Sequence, residues 1–256
     1  MDRISKSKQR LARRLRSRRM RERDGLALAE GPGVILEALR SSVEARWVLV
    51  GEEYGIEESG GAIVAACGER GVEVLYAPDR EVRDLCSTDA PRAVLACVRP
   101  PPLDSRLLDR GRFLMALGVQ MPGNLGTLIR SAWAFGLDGV VIGAGTVDPW
   151  NPKVVRASAG AVFHLPLVAE PEGENAARLN LLCADAGGVA VEAAEEARAR
   201  DWVLVVGNEG SGIGPAFGNL GRAVAVPLAD GVDSLNVAMA GSILMYELTR
   251  RERAAD

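Results

Sequence analysis

The sequence predicts an α/β protein built in two parts, and three observations support this fold class. Short apolar runs alternate with stretches of helical spacing along nearly the whole chain, which is the pattern of α/β domains. Three consecutive prolines at residues 100–102 interrupt the alternation and predict a linker over residues 99–106, because proline continues neither a helix nor a central strand. Several runs beyond the linker are apolar throughout, as in parallel strands that are covered on both faces.

Before the linker, residues 25–98 are predicted to form a small α/β domain. Its strands are expected near residues 26–29, 47–50, 72–76 and 93–98, and its helices near residues 34–40, 63–70 and 81–86. Residues 1–24 are predicted to form a separate basic arm, a helix with frayed ends.

Beyond the linker, residues 107–256 are predicted to form a second α/β domain, which the length of the chain allows. The expected strands lie near residues 112–119, 139–142, 163–167, 189–192, 202–206 and 223–227. The expected helices cover residues 124–135, 154–159, 176–186 and 234–251.

The net charge of −3 conceals a strong asymmetry along the chain. Residues 1–23 contain eleven lysines and arginines against two acidic residues, so this arm carries +9 and the remainder −12. A basic arm on an acidic body favours a polyanionic partner, since each phosphate contact releases counterions. The candidate phosphate contacts in the arm are Arg13, Arg14, Arg18 and Arg19. The alternative is a solvated, partly disordered tail.

Composition argues against several other classes of protein. Aromatic residues make up 4% of the chain, which disfavours a surface that stacks several unpaired bases. The four cysteines form no CxxC pair and His164 is the single histidine, so no metal site of the usual spacing is expected. Free thiols favour a cytoplasmic location. No apolar run approaches the roughly 18 residues of a membrane span, and no membrane partner is expected.

The first of three candidate motifs covers residues 120–132, directly after a predicted strand. Pro122 and Gly123 turn the chain, and Asn124 stands where a helix N-cap would satisfy an unpaired backbone N–H. Arg130 follows six residues later, inside the helix. The alternative interpretation makes Asn124 a cap and Arg130 an ordinary surface charge.

The second and third motifs also follow apolar strands. Residues 205–214 form a glycine-rich turn that lets backbone amides approach a ligand, but they match neither the dinucleotide fingerprint nor a phosphate-binding P-loop. In residues 226–240, Ser234 is predicted to start a helix whose first turn contains Asn236, and helix starts present unpaired N–H groups to ligands. Taken singly, each motif also fits a purely structural role.

Together, in this order and spacing, the three motifs resemble those of the SpoU/TrmH family of RNA methyltransferases. Residues 151–160 resemble the family's substrate-side segment. Residues 26–98 resemble the small ribosomal-protein-like RNA-binding domain that precedes the catalytic domain in many members. Met121 is a departure, because many relatives carry Asp before Pro-Gly-Asn. The resemblance implies a SPOUT catalytic domain with a deep trefoil knot, and 2′-O-methylation of a ribose in RNA, most directly 23S ribosomal RNA.

The resemblance also implies a cofactor and a set of site residues. The cofactor is S-adenosylmethionine, and its implied binding residues are Gly207, Asn208, Glu209, Gly210, Ile213, Val226, Leu228, Ser234 and Leu235. The implied catalytic residues are Arg130, Asn124, Glu209, Ser234 and Asn236. Arg130 would contact the target phosphate, although arginine is a poor base. Lys153, Arg156 and Ser158 are the implied RNA contacts of the substrate-side segment.

Relatives place the active site across a homodimer interface, and we expect residues 107–256 to pair through the last helix and the motif 1 helix. The small residues Ala238, Ala240, Gly241 and Ser242 are the expected contact face. His164 is expected to have a structural or peripheral role.

Three alternatives remain open from the sequence. The substrate could be transfer RNA. The protein could be a non-catalytic RNA-binding factor for ribosome assembly, which would need no cofactor. A nucleotide-dependent oxidoreductase is the third, and its mismatched glycine pattern counts against it.

Overall fold

The computed structural model describes residues 2–88, 90–103, 108, 110–171, 174–195, 197, 199–208 and 210–253. The chain divides into two compact units. The N-terminal unit combines Met1–Pro101 with Asp148–His164, and the C-terminal unit combines Pro102–Val147 with Leu165–Asp256. The segment Asp148–His164, expected within the second domain, thus belongs to the N-terminal unit.

A five-stranded mixed sheet forms the centre of the N-terminal unit. Its strands, in the spatial order β1-β4-β3-β5-β2, are β1 (Asp2–Arg3), β2 (Ala27–Glu30), β3 (Glu44–Gly51), β4 (Val74–Ala77) and β5 (Val94–Arg99). Its first helices are α1 (Lys6–Arg14), α2 (Arg18–Asp24), α3 (Pro32–Arg40), α4 (Glu58–Arg70) and α5 (Asp79–Leu85). The predicted order of strands and helices over residues 25–98 is confirmed.

The basic arm is folded into this unit, so the interpretation as a disordered tail is wrong. Strand β1 pairs with β4 in parallel. Ser5 caps α1 by accepting a hydrogen bond from the backbone N of Lys8, and Gly25 ends α2 in the left-handed conformation. Ala12 and Leu15 are fully buried, and burying a leucine side chain contributes about 1.5–3 kcal/mol. The arm therefore stabilises the unit as well as charging it.

Six parallel strands form the sheet of the C-terminal unit. In chain order they are β6 (Arg112–Ala116), β7 (Gly139–Ile142), β8 (Leu167–Ala169), β9 (Leu181–Ala190), β10 (Trp202–Val206) and β11 (Arg222–Ala225), and their spatial order is β11-β9-β10-β6-β7-β8. Helices α6 (Pro122–Ala134), α8 (Glu174–Ala177), α9 (Pro215–Gly218) and α10 (Val237–Arg253) belong to this unit, and α7 (Pro152–Ala157) belongs to the N-terminal one. Strand β10 is buried along its whole length, as expected for a central parallel strand.

Three predicted elements of the C-terminal half are corrected. Residues 176–186 form no long helix, because the apolar run Leu181-Leu182-Cys183 pairs with β10 and β11 as the start of β9. The strand expected near residues 163–167 begins at Leu167, after a 3-10 turn at Ala161–Phe163. The last helix begins at Val237 and not at Ser234. In the first place tertiary pairing overrides local periodicity, and in the third the start of the helix is set by Asn236, which accepts from the backbone N of Ala238 and of Met239.

The four cysteines are unpaired and buried. Burial raises the pKa of the Cys67 and Cys183 thiols to about 11, with Asp185 adding to the effect at Cys183, and the pKa of Cys86 and Cys97 to about 12. All four therefore remain neutral thiols near pH 7. Within the described ranges, no group of three or more potential metal-binding side chains comes together, and no helix is long and apolar enough to cross a membrane.

Candidate active site

A cavity of about 450 Å³ lies at the carboxyl ends of β10 and β11 and beside β9. Ligands of open parallel sheets bind at this edge, outside the carboxyl ends of the strands. The loops that follow β10 and β11 and the first turns of α10 complete the lining. Six of the nine implied cofactor-binding residues line the cavity, namely Gly207, Asn208, Val226, Leu228, Ser234 and Leu235.

Asn208 organises the glycine-rich turn after β10. Its backbone exchanges two hydrogen bonds with Gly212 (3.1 and 2.9 Å). Its side-chain Oδ1 accepts from the backbone N of Gly210 (2.8 Å) and of Ser211 (3.1 Å), while Nδ2 donates to the carbonyl of Gly118 (2.9 Å). All polar groups of this side chain are therefore used to shape the turn and to fix it to the loop after β6.

Gly207 explains why the turn needs a glycine directly after the strand. A Cβ atom at this position would collide with the backbone of Gly212 and Ile213, so only glycine permits the close return of the chain. The tight turn leaves backbone groups of residues 207 and 208 at the cavity wall.

A bulge in β9 supplies a part of the wall that the sequence did not indicate. Cys183 pairs with Ala223 and Val189 pairs with Val224, so the residues between Cys183 and Val189 loop out of the sheet. Asp185 lies in this loop, lines the cavity, and accepts a hydrogen bond from the backbone N of Gly187 (2.7 Å). The Gly187-Gly188 pair is the sequence signal that could have located the turn.

Asn236 links the third motif to the first. Its Oδ1 accepts from the backbone N of Ala238 (2.9 Å) and of Met239 (3.3 Å), which caps the start of α10. These two donors orient the amide, so Nδ2 points to Oδ1 of Asn124 and donates to it at 3.1 Å. Asn124 is the third residue of α6 and Met121 precedes the helix, so the predicted N-cap role of Asn124 is wrong.

The small residues of α10 pack inside the unit. A Cβ at Gly241 would lie 2.6 Å from Cδ2 of Leu128. The Ser242 hydroxyl donates to the Ala238 carbonyl (2.6 Å) and therefore accepts from Ser131 (2.7 Å). Gly241 and Ser242 thus bring α10 close to α6 within the same chain, and the expected dimer contact through the small-residue face stays a prediction.

A different face of α10 is exposed and apolar. Met239, Ile243 and Tyr246 are 56%, 36% and 47% exposed, and their spacing of four and three residues places them on one stripe of the helix. Trp133 of α6 is also partly exposed. We call Met239, Ile243 and Tyr246 the apolar stripe.

Arg130 is exposed and lies outside the cavity lining. At 3.6 residues per turn it lies about 120° around α6 from Asn124. Its guanidinium has no ion-pair or hydrogen-bond partner among the residues that the structure describes. A single chain therefore brings Asn124 to Asn236 and leaves Arg130 on another face of the same helix.

The other implied site residues are placed as follows. Lys153 and Arg156 are exposed on α7, in the N-terminal unit. Ser158 is fully buried and its hydroxyl donates to the Val155 carbonyl (2.8 Å), so it is not available to RNA. Gly210 and Ile213 lie outside the cavity lining, and Ile213 packs on the apolar core of its unit. Glu209 lies outside the described residues.

The arginines of the arm fall into two groups. Arg14 pairs with Asp24 (2.6 Å) and Arg18 pairs with Glu22 (2.7 Å). Arg13 and Arg19 are exposed and pair with no acid in the part of the chain that the structure describes.

Two family models match the chain. Residues 111–246 match the SpoU rRNA Methylase family, and residues 7–96 match the MRM3-like substrate binding domain. The second match includes α2 and all of α1 except its first residue, in agreement with their place in the N-terminal unit.

Characterised relatives are similar over most of their length. The 23S rRNA (guanosine(2553)-2′-O)-methyltransferase RlmP of Bacillus subtilis is 31% identical over 92% of this chain and 93% of its own. The 23S rRNA (uridine(2479)-2′-O)-methyltransferase of Streptomyces viridochromogenes is 32% identical over 70% of this chain and 67% of its own.

A solved structure covers nearly the whole fold. The SpoU methyltransferase AviRb of Streptomyces viridochromogenes, in complex with AdoMet, is 26% identical with a TM-score of 0.83, over 98% of this chain and 99% of its own. This similarity confirms the predicted fold class, whereas the trefoil knot stays a prediction. The chain belongs to the SpoU rRNA methylase family.

Proposed function

We propose that this protein transfers a methyl group from S-adenosylmethionine to the 2′-hydroxyl of a ribose in 23S ribosomal RNA. The observation that carries the proposal is the meeting of the three motifs at one place. Motif 2 forms a wall of the cavity, motif 3 forms another, and Asn236 of motif 3 is hydrogen-bonded to Asn124 of motif 1. The relatives named as 23S rRNA 2′-O-methyltransferases support the reaction and the class of substrate.

The cavity suits the cofactor in size and in chemistry. Its volume of about 450 Å³ lies within the usual range of small-molecule sites, about 300–1,000 Å³. Val226, Leu228 and Leu235 offer apolar surface to an adenine ring, and the turn at Gly207 offers backbone groups to its edge. Bound there, S-adenosylmethionine would supply a methyl group already activated by its sulfonium.

Asp185 is the charged side chain of the cavity lining within the described residues. One of its oxygens is used by Gly187, and the other is available to the cofactor. A carboxylate suits the hydroxyls of the adenosine ribose or the cationic groups of the methionine part.

We assign the remaining roles as follows. Asn236 and Asn124 fix the start of α10 and hold Ser234 and Leu235 at the cavity. Arg130 contacts the phosphate of the target nucleotide and stabilises the hydroxyl as it loses its proton, because a guanidinium binds phosphate through a planar fork of donors. Glu209 keeps the role in shaping the cofactor pocket that the resemblance implies for the acidic residue of motif 2. Most of the rate enhancement would come from positioning.

We further propose that the active protein is a homodimer that pairs through α6 and α10. The apolar stripe supports this, since an exposed row of large apolar side chains on a helix is typical of an interaction face. The same pairing would give Arg130, which lies outside its own cavity, a place in the site of the other copy.

We assign RNA binding to the N-terminal unit and the reaction to residues 107–256. Arg13, Arg19, Lys153 and Arg156 support this, as exposed cations without acidic partners in the described ranges. The four buried free cysteines support a reducing, cytoplasmic location.

The decisive experiment is methyl transfer from labelled S-adenosylmethionine to purified 23S RNA, followed by alkaline hydrolysis. A 2′-O-methylated ribose protects the adjacent phosphodiester, so the label should appear in alkali-resistant dinucleotides. Label in mononucleotides would indicate base methylation and contradict the proposal. Transfer RNA is tested in parallel, and labelling of transfer RNA in place of 23S RNA would show that the proposed substrate class is wrong. If calorimetry detects no cofactor binding, the protein is a non-catalytic factor.

Oligomeric state is tested by light scattering at micromolar concentration. The wild-type protein should have about twice the 27.1 kDa mass of the chain, and Ile243→Glu should give a monomer that binds the cofactor and transfers no methyl group. Ile56→Glu is the matched control, because Ile56 is an exposed isoleucine far from α10 in the sequence, and it should remain dimeric. An active monomer would contradict the dimer proposal.

A further inference from the structure

The segment Asp148–His164 contains residues 151–160, which resemble the family's substrate-side segment, and the whole of Asp148–His164 is here called the substrate segment. It is folded as part of the N-terminal unit. The chain leaves the C-terminal unit after Val147 and returns to it at Leu165. Within the segment, α7 buries Val154 and Val155 and packs on β2. The opposite side of α7 exposes Lys153 and Arg156. The position of these two cations is therefore set by whatever holds the segment in the N-terminal unit.

A buried ion pair holds the first residue of the segment. Arg21 of α2 donates to Oδ2 of Asp148 from Nε (2.8 Å) and from Nη2 (2.5 Å). The two side chains are 5% and 12% exposed. Although Arg21 belongs to the basic arm, its burial leaves no surface for a phosphate contact.

The remaining bonds of this pair extend from the arm to α7. Nη1 of Arg21 donates to the carbonyls of Leu15 (2.8 Å) and Arg16 (2.9 Å) at the end of α1. The second oxygen of Asp148 accepts from the backbone N of Trp150 (2.9 Å), which sets the turn that leads to α7. Asn151 then caps α7 by accepting from the backbone N of Lys153 (3.0 Å).

A second contact holds the last residue of the segment. Glu37 of α3 lies 2.9 Å from Nε2 of His164, which agrees with the structural role expected for this histidine. Gly160 has a φ of +87°, and a Cβ there would lie 2.5 Å from Cβ of Glu37. Glycine is therefore needed at position 160 for the segment to approach α3 this closely.

We propose that Arg21 and Glu37 are positioning residues for RNA binding, which hold the substrate segment at its two ends so that Lys153 and Arg156 meet the RNA backbone together. This inference rests on the proposed function. It assigns the basic arm two separate tasks, since its exposed arginines meet phosphate directly whereas Arg21 acts through Asp148 and α7. Loss of either of these two anchors, Arg21 or Glu37, should leave the cofactor cavity unchanged, because the cavity is lined by residues of the C-terminal unit.

The test is a double-mutant cycle on RNA affinity, measured by fluorescence anisotropy with a 23S RNA fragment at several salt concentrations. In the wild-type background, Lys153→Met with Arg156→Met should weaken binding about tenfold and reduce the salt slope by about 1.4 to 1.8, as for two lost phosphate contacts. Asp148→Asn alone should weaken binding about tenfold. In the Asp148→Asn background, the Lys153→Met and Arg156→Met changes should cost less than about threefold, since contacts within one coupled network are not additive.

Controls separate positioning from a loss of stability. Arg46→Met removes an exposed arginine of the same unit that pairs with Glu44, and RNA affinity should not change. Cofactor affinity, measured by calorimetry, should stay within about twofold in every variant. Hydrogen exchange should accelerate in residues 148–158 of Asp148→Asn and remain slow in β3 and β4. If Asp148→Asn fails to fold, Glu37→Gln tests the other anchor without leaving a buried cation unpaired.

The outcomes are distinguishable. Full additivity of Asp148→Asn with the Lys153 and Arg156 changes, or unchanged exchange in residues 148–158, would overturn the positioning role while the proposed function stands. Wild-type protein that binds cofactor and no RNA would overturn the proposed function and this inference with it.

Discussion

Helices α1 and α2 of the arm differ from helices α6 and α10 in how well the charge of the sequence indicates which cations are exposed. The arm is the most basic part of the chain, yet Arg21 within it is buried and uses its guanidinium for Asp148 and two carbonyls. Helix α6 has one arginine, Arg130, and it is exposed without a partner in the described part of the chain. The density of charge along the sequence therefore does not indicate which cation is available for chemistry.

The two regions also differ in how their apolar residues are used. In the arm, Ala12 and Leu15 are buried within the same unit, and the exposed surface is charged. In α10, small residues are buried against α6, while Met239, Ile243 and Tyr246 remain exposed. The apolar residues of the arm are thus covered within the same chain, whereas the apolar stripe of α10 is exposed and suited to packing against a second copy.

The largest expected effect lies at Arg130. Arg130→Ala should reduce single-turnover methyl transfer by about 100- to 1,000-fold, the usual cost of removing one donor to a reacting group. Arg130→Lys should recover part of the activity, because an ammonium lacks the planar fork of a guanidinium. The measurement is transfer of labelled methyl groups to 23S RNA, with cofactor affinity determined on the same sample.

Arg222→Ala is the matched control for Arg130. Arg222 is an exposed arginine of the same unit, at the start of β11, and its loss should change stability by at most about 0.5 kcal/mol and leave transfer intact. Near-wild-type transfer by Arg130→Ala would remove this residue from the active site and would weaken the contrast with the arm.

The next largest effect is expected from the arm itself. Leu15→Ala should lower the free energy of unfolding by about 2–5 kcal/mol, because the side chain is fully buried in the N-terminal unit. Deletion of residues 2–23 should be more severe, since it also removes β1 and the partner of Asp148. Urea denaturation measures both variants, and a truncated protein as stable as the full chain would show that the arm is a passive tail.

A smaller effect is expected at the start of α10. Asn236→Ala removes the helix cap and the bond to Asn124, so it should cost about 1 kcal/mol of stability and weaken cofactor binding about tenfold. Ser5→Ala removes the cap of α1 in the arm and should cost a similar stability without changing cofactor affinity. Equal cofactor affinities in Asn236→Ala and Ser5→Ala would show that Asn236 does not contribute to cofactor binding.

The smallest effects are expected from the exposed cations of the arm. Arg13→Met and Arg19→Met should each change the free energy of unfolding by at most about 0.5 kcal/mol. Each should lower the salt slope of RNA binding by about 0.7 to 0.9, the value for one phosphate contact. Unchanged salt slopes in both variants would restrict RNA binding to other surfaces.

The sequence predicted the α/β class and most elements because these depend on local patterns. The apolar runs at Trp202–Val206 and Gly139–Ile142 predict strands, and the strands of the structure have the same bounds. The resemblance of the three motifs to the SpoU/TrmH family implies Gly207, Asn208, Ser234 and Leu235 as cofactor-binding residues, and all four line the same cavity. Turn glycines and buried strands leave a local signal that needs no knowledge of the neighbours.

Only the tertiary structure decided how distant residues are used. Residues 176–186 have helical spacing, and pairing with β10 and β11 turns most of them into a strand. The neighbouring sequence does not show that Arg21 is buried while Arg19 is exposed, and it does not show that Asn236 is the partner of Asn124. The hydrogen-bond partners of Arg21 and Asn124 lie more than a hundred positions away in the chain. The periodicity of the sequence indicates which face of a helix or strand is apolar. Burial and hydrogen-bond partners depend instead on packing between elements that are far apart in the sequence.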